Sequence, residues 1–133
     1  MKTVIRFLLS VGLFAALFTA PLASAATCAV GTVGAAPVAS ITFSAPTTNT
    51  DGTPITGTLT YELFQGTATG QEKLVASALA GSPISVKTGL ADAVTYYWYV
   101  EAVNSAGNAS APSNEVCKTF PAGVPSAITI TVT

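Results

Sequence analysis

Residues 90–107 read LADAVTYYWYVEAVNSAG, and no other stretch constrains the fold so tightly. Strand side chains alternate between the two faces of a sheet. Tyr96, Trp98, Val100 and Ala102 therefore share one face, and Tyr97, Tyr99, Glu101 and Val103 share the other. One side of this strand is a ready core face. The other carries two tyrosines and a carboxylate.

The rest of the chain fits around such a strand. Turn-forming residues recur at short intervals with short apolar runs between them, the pattern of an all-β sandwich or barrel. No segment carries a convincing apolar period of 3.6. Leu74 to Ala80 has the composition to start a helix, but Gly81 and Pro83 end it quickly. The expected strands are 27–33, 38–45, 58–65, 73–78, 84–88, 96–104 and 114–120. Inward positions are Ala39, Ile41 and Phe43 in the second, Leu59, Tyr61 and Leu63 in the third, and Ile84 and Val86 in the fifth. The loop 46–54 holds Asp51-Gly52, which supplies the positive φ of a tight turn.

The first 25 residues read as a secretory signal. Lys2 and Arg6 precede a 14-residue apolar run from Phe7 to Ala20, then Pro21 and a small-residue site, Ala23-Ser24-Ala25. A membrane span needs about 20 apolar residues, so cleavage after Ala25 is favoured over a retained anchor, and no stable membrane span is expected afterwards. The 108 residues that follow are one domain's worth. In them Lys73, Lys87 and Lys118 stand against Asp51, Glu62, Glu72, Asp92, Glu101 and Glu115, a formal charge of −3. With no basic patch, nucleic acid is not an expected partner.

Both cysteines, Cys28 and Cys117, follow the signal. An exported chain passes through an oxidising compartment, so a disulfide is expected. It closes a loop of about 90 residues, worth roughly 4 to 5 kcal/mol on chain-entropy grounds. The rival reading lipidates Cys28. The preceding Ala25-Ala26-Thr27 fits a lipoprotein signal poorly, and that reading leaves Cys117 a stray thiol.

Leu90, then Tyr96-x-x-x-Val100-x-Ala102-x-Asn104 and Gly107, resembles the F-strand signature of fibronectin type III domains. ITFSAPTTNTDGTPITG, from Ile41 to Gly57, is similar to that family's B strand, BC loop and start of strand C. VNSAGNASAPSNEV, from Val103 to Val116, is similar to its F–G turn and G strand. The resemblance covers residues 38–120. It implies an immunoglobulin-like antiparallel β-sandwich of about seven strands, with Tyr96 forming a tyrosine corner above Leu90 and Phe43 standing where the family has a core Trp. Trp98, Phe43, Ile41, Leu63 and Val100 are then the expected centre. The disulfide is expected to staple a short, poorly patterned first strand to the last. The domains are 1–25, signal; 26–120, the fibronectin type III-like unit; and 121–133, a linker with one further strand.

The available chemistry is sparse. There is no histidine, and no G-x-S-x-G, P-loop or G-x-G-x-x-G motif. Glu62 and Glu101 fall on the outward faces of strands C and F, neighbours in the fold that the resemblance implies. A flat sheet face is not the cleft that a two-carboxylate hydrolase needs. The chain is expected not to be an enzyme and to need no cofactor. A calcium ion at Asp51 is weaker as a reading than a plain turn, so no metal site is expected.

Binding is the remaining class. Tyr97, Tyr99, Glu62, Glu101 and Phe64, with Thr60 and Val103, share an outward face that suits a protein partner or stacked sugars, although tyrosine and threonine are also simply good strand formers. Asn49, Asp51 and Asn108 belong to the loops 46–54 and 105–112 at one end of the sandwich, and Asn108-Ala109-Ser110 is an N-glycosylation sequon. Ile128, Ile130 and Val132 alternate with threonines like a strand that stays unordered, folds back, or adds to the edge of another copy or a partner. The expected role is an extracellular binding or adhesion module, secreted, periplasmic or at the cell surface. Its partner is an extracellular protein or carbohydrate. The alternatives are a structural or assembly subunit of a phage virion or cell surface, pairing through the C-terminal strand, and a carbohydrate-directed accessory domain.

Overall fold

The computed structural model describes residues 27–125; the signal-like segment and the alternating strand at Ile128, Ile130 and Val132 lie outside the described residues. Seven strands form in the order β1 (Ala29–Val30), β2 (Ala39–Ile41), β3 (Thr60–Gly66), β4 (Lys73–Leu79), β5 (Ile84–Val86), β6 (Val94–Val103) and β7 (Val116–Phe120). Leu74, where a helix was conceivable by composition, lies in β4. Among the described residues no helix is long and apolar enough to cross a membrane.

Two sheets face each other, one of five strands in the order β1-β7-β6-β3-β4 and one of two, β2-β5. Alternation places the core. Tyr96, Trp98, Val100 and Ala102 of β6 and Tyr61 and Leu63 of β3 are buried against Ala39 and Ile41 of β2 and Ile84 of β5. Trp98 is 1% exposed and is the most deeply buried large side chain. Its indole N–H donates to Gln65 Oε1 at 2.8 Å, so burial leaves no orphan donor. The tyrosine corner forms as expected. The Tyr96 hydroxyl accepts from Ala91 N–H at 3.0 Å, and Leu90 packs half-buried against the core.

The expected antiparallel arrangement holds with one correction: β1 pairs with β7 in parallel, Ala29 opposite Lys118 and Val30 opposite Thr119. Both residues of β1 are exposed, so this strand has no apolar face to bury. The Cys28–Cys117 disulfide, with a Cα–Cα distance of 4.6 Å, holds it in place, and Gly31 N–H donates to Thr119 O at 2.8 Å. Gly31 also allows the close approach, since a Cβ there would meet the Phe120 ring at 3.2 Å.

A second correction concerns the strand expected over 38–45. It stops at Ile41, where its register with β5 ends at Ile84. Phe43 N–H donates to Ser82 Oγ instead of joining a ladder. Phe43 is consequently half-buried at the rim of the core, tilted against Tyr61 at 4.7 Å, rather than at its centre.

Candidate functional site

The five residues expected on the outward face come together there. β3 and β6 pair in the register Glu62 with Glu101, Phe64 with Tyr99, and Gly66 with Tyr97. Directly opposed residues share a face. The Phe64 and Tyr99 rings stack at 4.5 Å between centroids, 12° from parallel. All five side chains expected here are half-buried, so each keeps a solvent-facing part.

The neighbouring strands widen this patch. On β4, Leu74 stands opposite Phe64 and is 50% exposed. On β7, Cys117 stands opposite Tyr97, so the disulfide borders the face. Glu62 and Glu101, directly opposed, make the face acidic. The Tyr99 hydroxyl is held above its ordinary range, first by burial and then by the charges of Glu101 and Glu72.

A second group of expected residues lies at one end of the sandwich. Asn49 and Asp51 build a tight turn. Gly52, at φ 84°, donates to Asn49 O at 3.0 Å, and Thr53 donates to Asp51 Oδ1 through its backbone N–H at 3.0 Å and its hydroxyl at 2.6 Å. Those two bonds hold the Asp51 carboxyl below its usual range. Asn108 closes the opposite turn, where it and Asn104 exchange bonds of 3.0 Å. Both loops lie at the end of the sheet, where Ala109 of the second pairs with Val103 of β6. They flank a cleft of ≈ 410 Å³ left open where β2 stops, with Phe43, Tyr61 and Val100 in its floor and Ser110 and Ser113 on its wall. Both serine hydroxyls are committed to the fold, accepting from Ala102 N–H and Val100 N–H at 3.0 Å.

Sequence reasoning missed this cleft, Leu74, and a contact between Glu115 and the loop 67–72. The spacing Ser110-x-x-Ser113 was the available signal for the cleft wall, because both hydroxyls bond the half of β6 that β7 does not reach. Glu115 and the loop are far apart in sequence and share no motif.

The sixth fibronectin type III domain of human fibronectin type III domain containing protein 3 is 31% identical to this chain, covers 72% of it and 84% of its own length, and has a TM-score of 0.51. The chain belongs to the fibronectin type III family. A Fn3-like protein from Clostridium thermocellum is also similar, at 23% identity, over 74% of this chain and 96% of that one, with a TM-score of 0.49. No family model and no curated protein matches the chain. Membership accounts for the sandwich and for the tyrosine corner. It does not choose a ligand, because this fold hosts many functions. Among the described residues of this fibronectin type III domain, no group of three or more His, Cys, Asp or Glu is placed to hold a metal ion.

Proposed function

We propose that this chain is a non-enzymatic extracellular binding module that meets its partner with the outward face of β3 and β6. The observation that carries the reading is the stacked Phe64–Tyr99 pair, set in mid-sheet with Leu74 and Tyr97 beside it. A rigid aromatic pair offers large contact area at low entropic cost, which is how anchoring residues work. The disulfide supports export, since such bonds persist in oxidising compartments. The lack of histidine in the sequence supports a non-catalytic role.

The test is binding of the exported protein to arrayed polysaccharides and arrayed extracellular proteins. Phe64→Ser with Tyr99→Ser should weaken retention by about tenfold or more, while Thr50→Glu in the end cleft should leave it within about twofold. The opposite ranking contradicts the reading. Retention on polysaccharides rather than proteins makes the module carbohydrate-directed.

A second reading, an assembly subunit, is favoured by the outer edge of β4. It is seven residues long and has no strand beyond it among the described residues. The alternating Ile128, Ile130 and Val132 of another copy match such an edge. Full-length protein should then form concentration-dependent oligomers in light scattering, and Ile130→Asp should be monomeric. Two monomeric samples contradict it.

A further inference from the structure

Loop 67–72 joins β3 to β4, and β6 lies between β3 and β7 in the sheet. The Thr69 hydroxyl nonetheless reaches both oxygens of Glu115, just before β7, at 2.6 and 2.8 Å. Gly70 N–H donates to Glu115 Oε2 at 3.2 Å. These bonds carry the loop across β6. They cross on the outward side, because the inward positions Tyr96 and Trp98 are sealed in the core and the Glu72 charge is felt at Tyr99. The loop also sits down on Gly66, where a Cβ would meet Gln71 O and Glu72 N at 3.0 Å.

Glu72 supplies the decisive detail. Its Oε1 is shut off from solvent and has no hydrogen-bond partner. The Glu115 carboxyl lies within hydrogen-bonding reach of the Glu72 carboxyl, which the backbone N–H groups of Gly70 and Glu72 also face. Two carboxylates cannot donate to one another, so a hydrogen bond between Glu72 and Glu115 forms only when one of the two carries a proton.

We propose that loop 67–72 is an acid-closed strap, fastened across the Phe64–Tyr99 face by one proton held between Glu72 and Glu115 and released when that proton leaves. What the release regulates rests on the reading of that face as the contact surface; the latch itself does not. In the closed state Glu72 Oε1–H donates to Glu115. On release the proton passes to water, and two adjacent carboxylates repel.

The charges around the pair agree. The ionisable groups on the outward face around it are Tyr97, Tyr99 and Glu101 on β6 and Glu62 on β3, none of them cationic. Lys73 follows Glu72 but pairs with Gln65, whose amide holds the core indole, so it projects to the other side. Burial first, then the bond to Glu115, raise Glu72 above its ordinary 4.5. The bond from Glu72 first, then that from Thr69, lower Glu115 below 4.5. Such opposite displacements belong to a pair that shares a proton. The raised Glu72 stabilises the closed strap fully below 4.5 and loses its effect as pH rises through the raised value. The lowered Glu115 contributes above 4.5 and loses its effect as pH falls through the lowered value. The strap is therefore tightest around 4.5 and loosens as pH rises through the raised value of Glu72.

The experiment is NMR on the full chain, following the Glu72 and Glu115 carboxyl carbons and the exchange of the Gly70 amide from acid to neutral pH, corrected for intrinsic rates. Gly70 protection should fall by about fivefold in the native chain. In Glu72→Gln the side-chain amide donates to Glu115 without titrating, so protection should stay within about twofold. Independent titration of both carboxyls at ordinary values overturns the proposal, as does an equal fall in Glu72→Gln. No ligand enters this measurement, so its failure leaves the face reading standing, and failure of the array assay leaves the latch standing.

Discussion

Tyr96 and Trp98 decide the outcome at the scale of single residues. Both were legible in the sequence, because strand alternation places them on one face whatever the pairing turns out to be. Tyr96→Phe keeps the ring but leaves Ala91 N–H without its partner. It should cost about 1 to 2 kcal/mol in chemical denaturation. Trp98→Ala should cost about 3 to 5 kcal/mol, and native Trp fluorescence should be that of a buried indole. Ala93 takes φ 62° in the turn before β6, a region that penalises a Cβ. Ala93→Gly should therefore stabilise by about 1 kcal/mol in the same assay, and a loss of stability would show that the turn does not hold this conformation in solution. That strain was invisible in sequence, since nothing marks an alanine for a left-handed turn.

Among the elements, the interior strands were legible and the edges less so. β3 and β6 carry long alternating patterns, and their register follows from matching buried faces. β1 has two exposed residues and no pattern, so its parallel pairing with β7 was not readable, although the cysteine spacing already tied the two together. Without the bond, only a short ladder holds the strand. Cys117→Ala should destabilise by about 2 to 5 kcal/mol and free Gly31 N–H to exchange, while native unreduced protein should show no alkylatable thiol by mass spectrometry. β2 also ended earlier than its sequence implied, because the chain beyond Ile41 finds Ser82 rather than a partner strand.

For the molecule as a whole, the five-stranded sheet separates two surfaces that the sequence had placed at different positions without ranking. The outward face joins residues from three strands into one aromatic and acidic patch; alternation and the resemblance made the β3 and β6 part of it readable in advance, but not Leu74 of β4. The end cleft and the strap were not readable, because each depends on where a strand stops or a loop crosses rather than on a local pattern. Hydroxyl-radical footprinting of the disulfide-bonded chain, free and bound to whichever array component retains it, tests the account most directly. Oxidation of Phe64, Tyr97 and Tyr99 should fall by about fivefold on binding while Phe43 and the loop 46–54 stay unchanged. Unchanged oxidation at Phe64 and Tyr99, with protection confined to Phe43, Tyr61 and that loop, would contradict the account and move the contact surface to the end cleft.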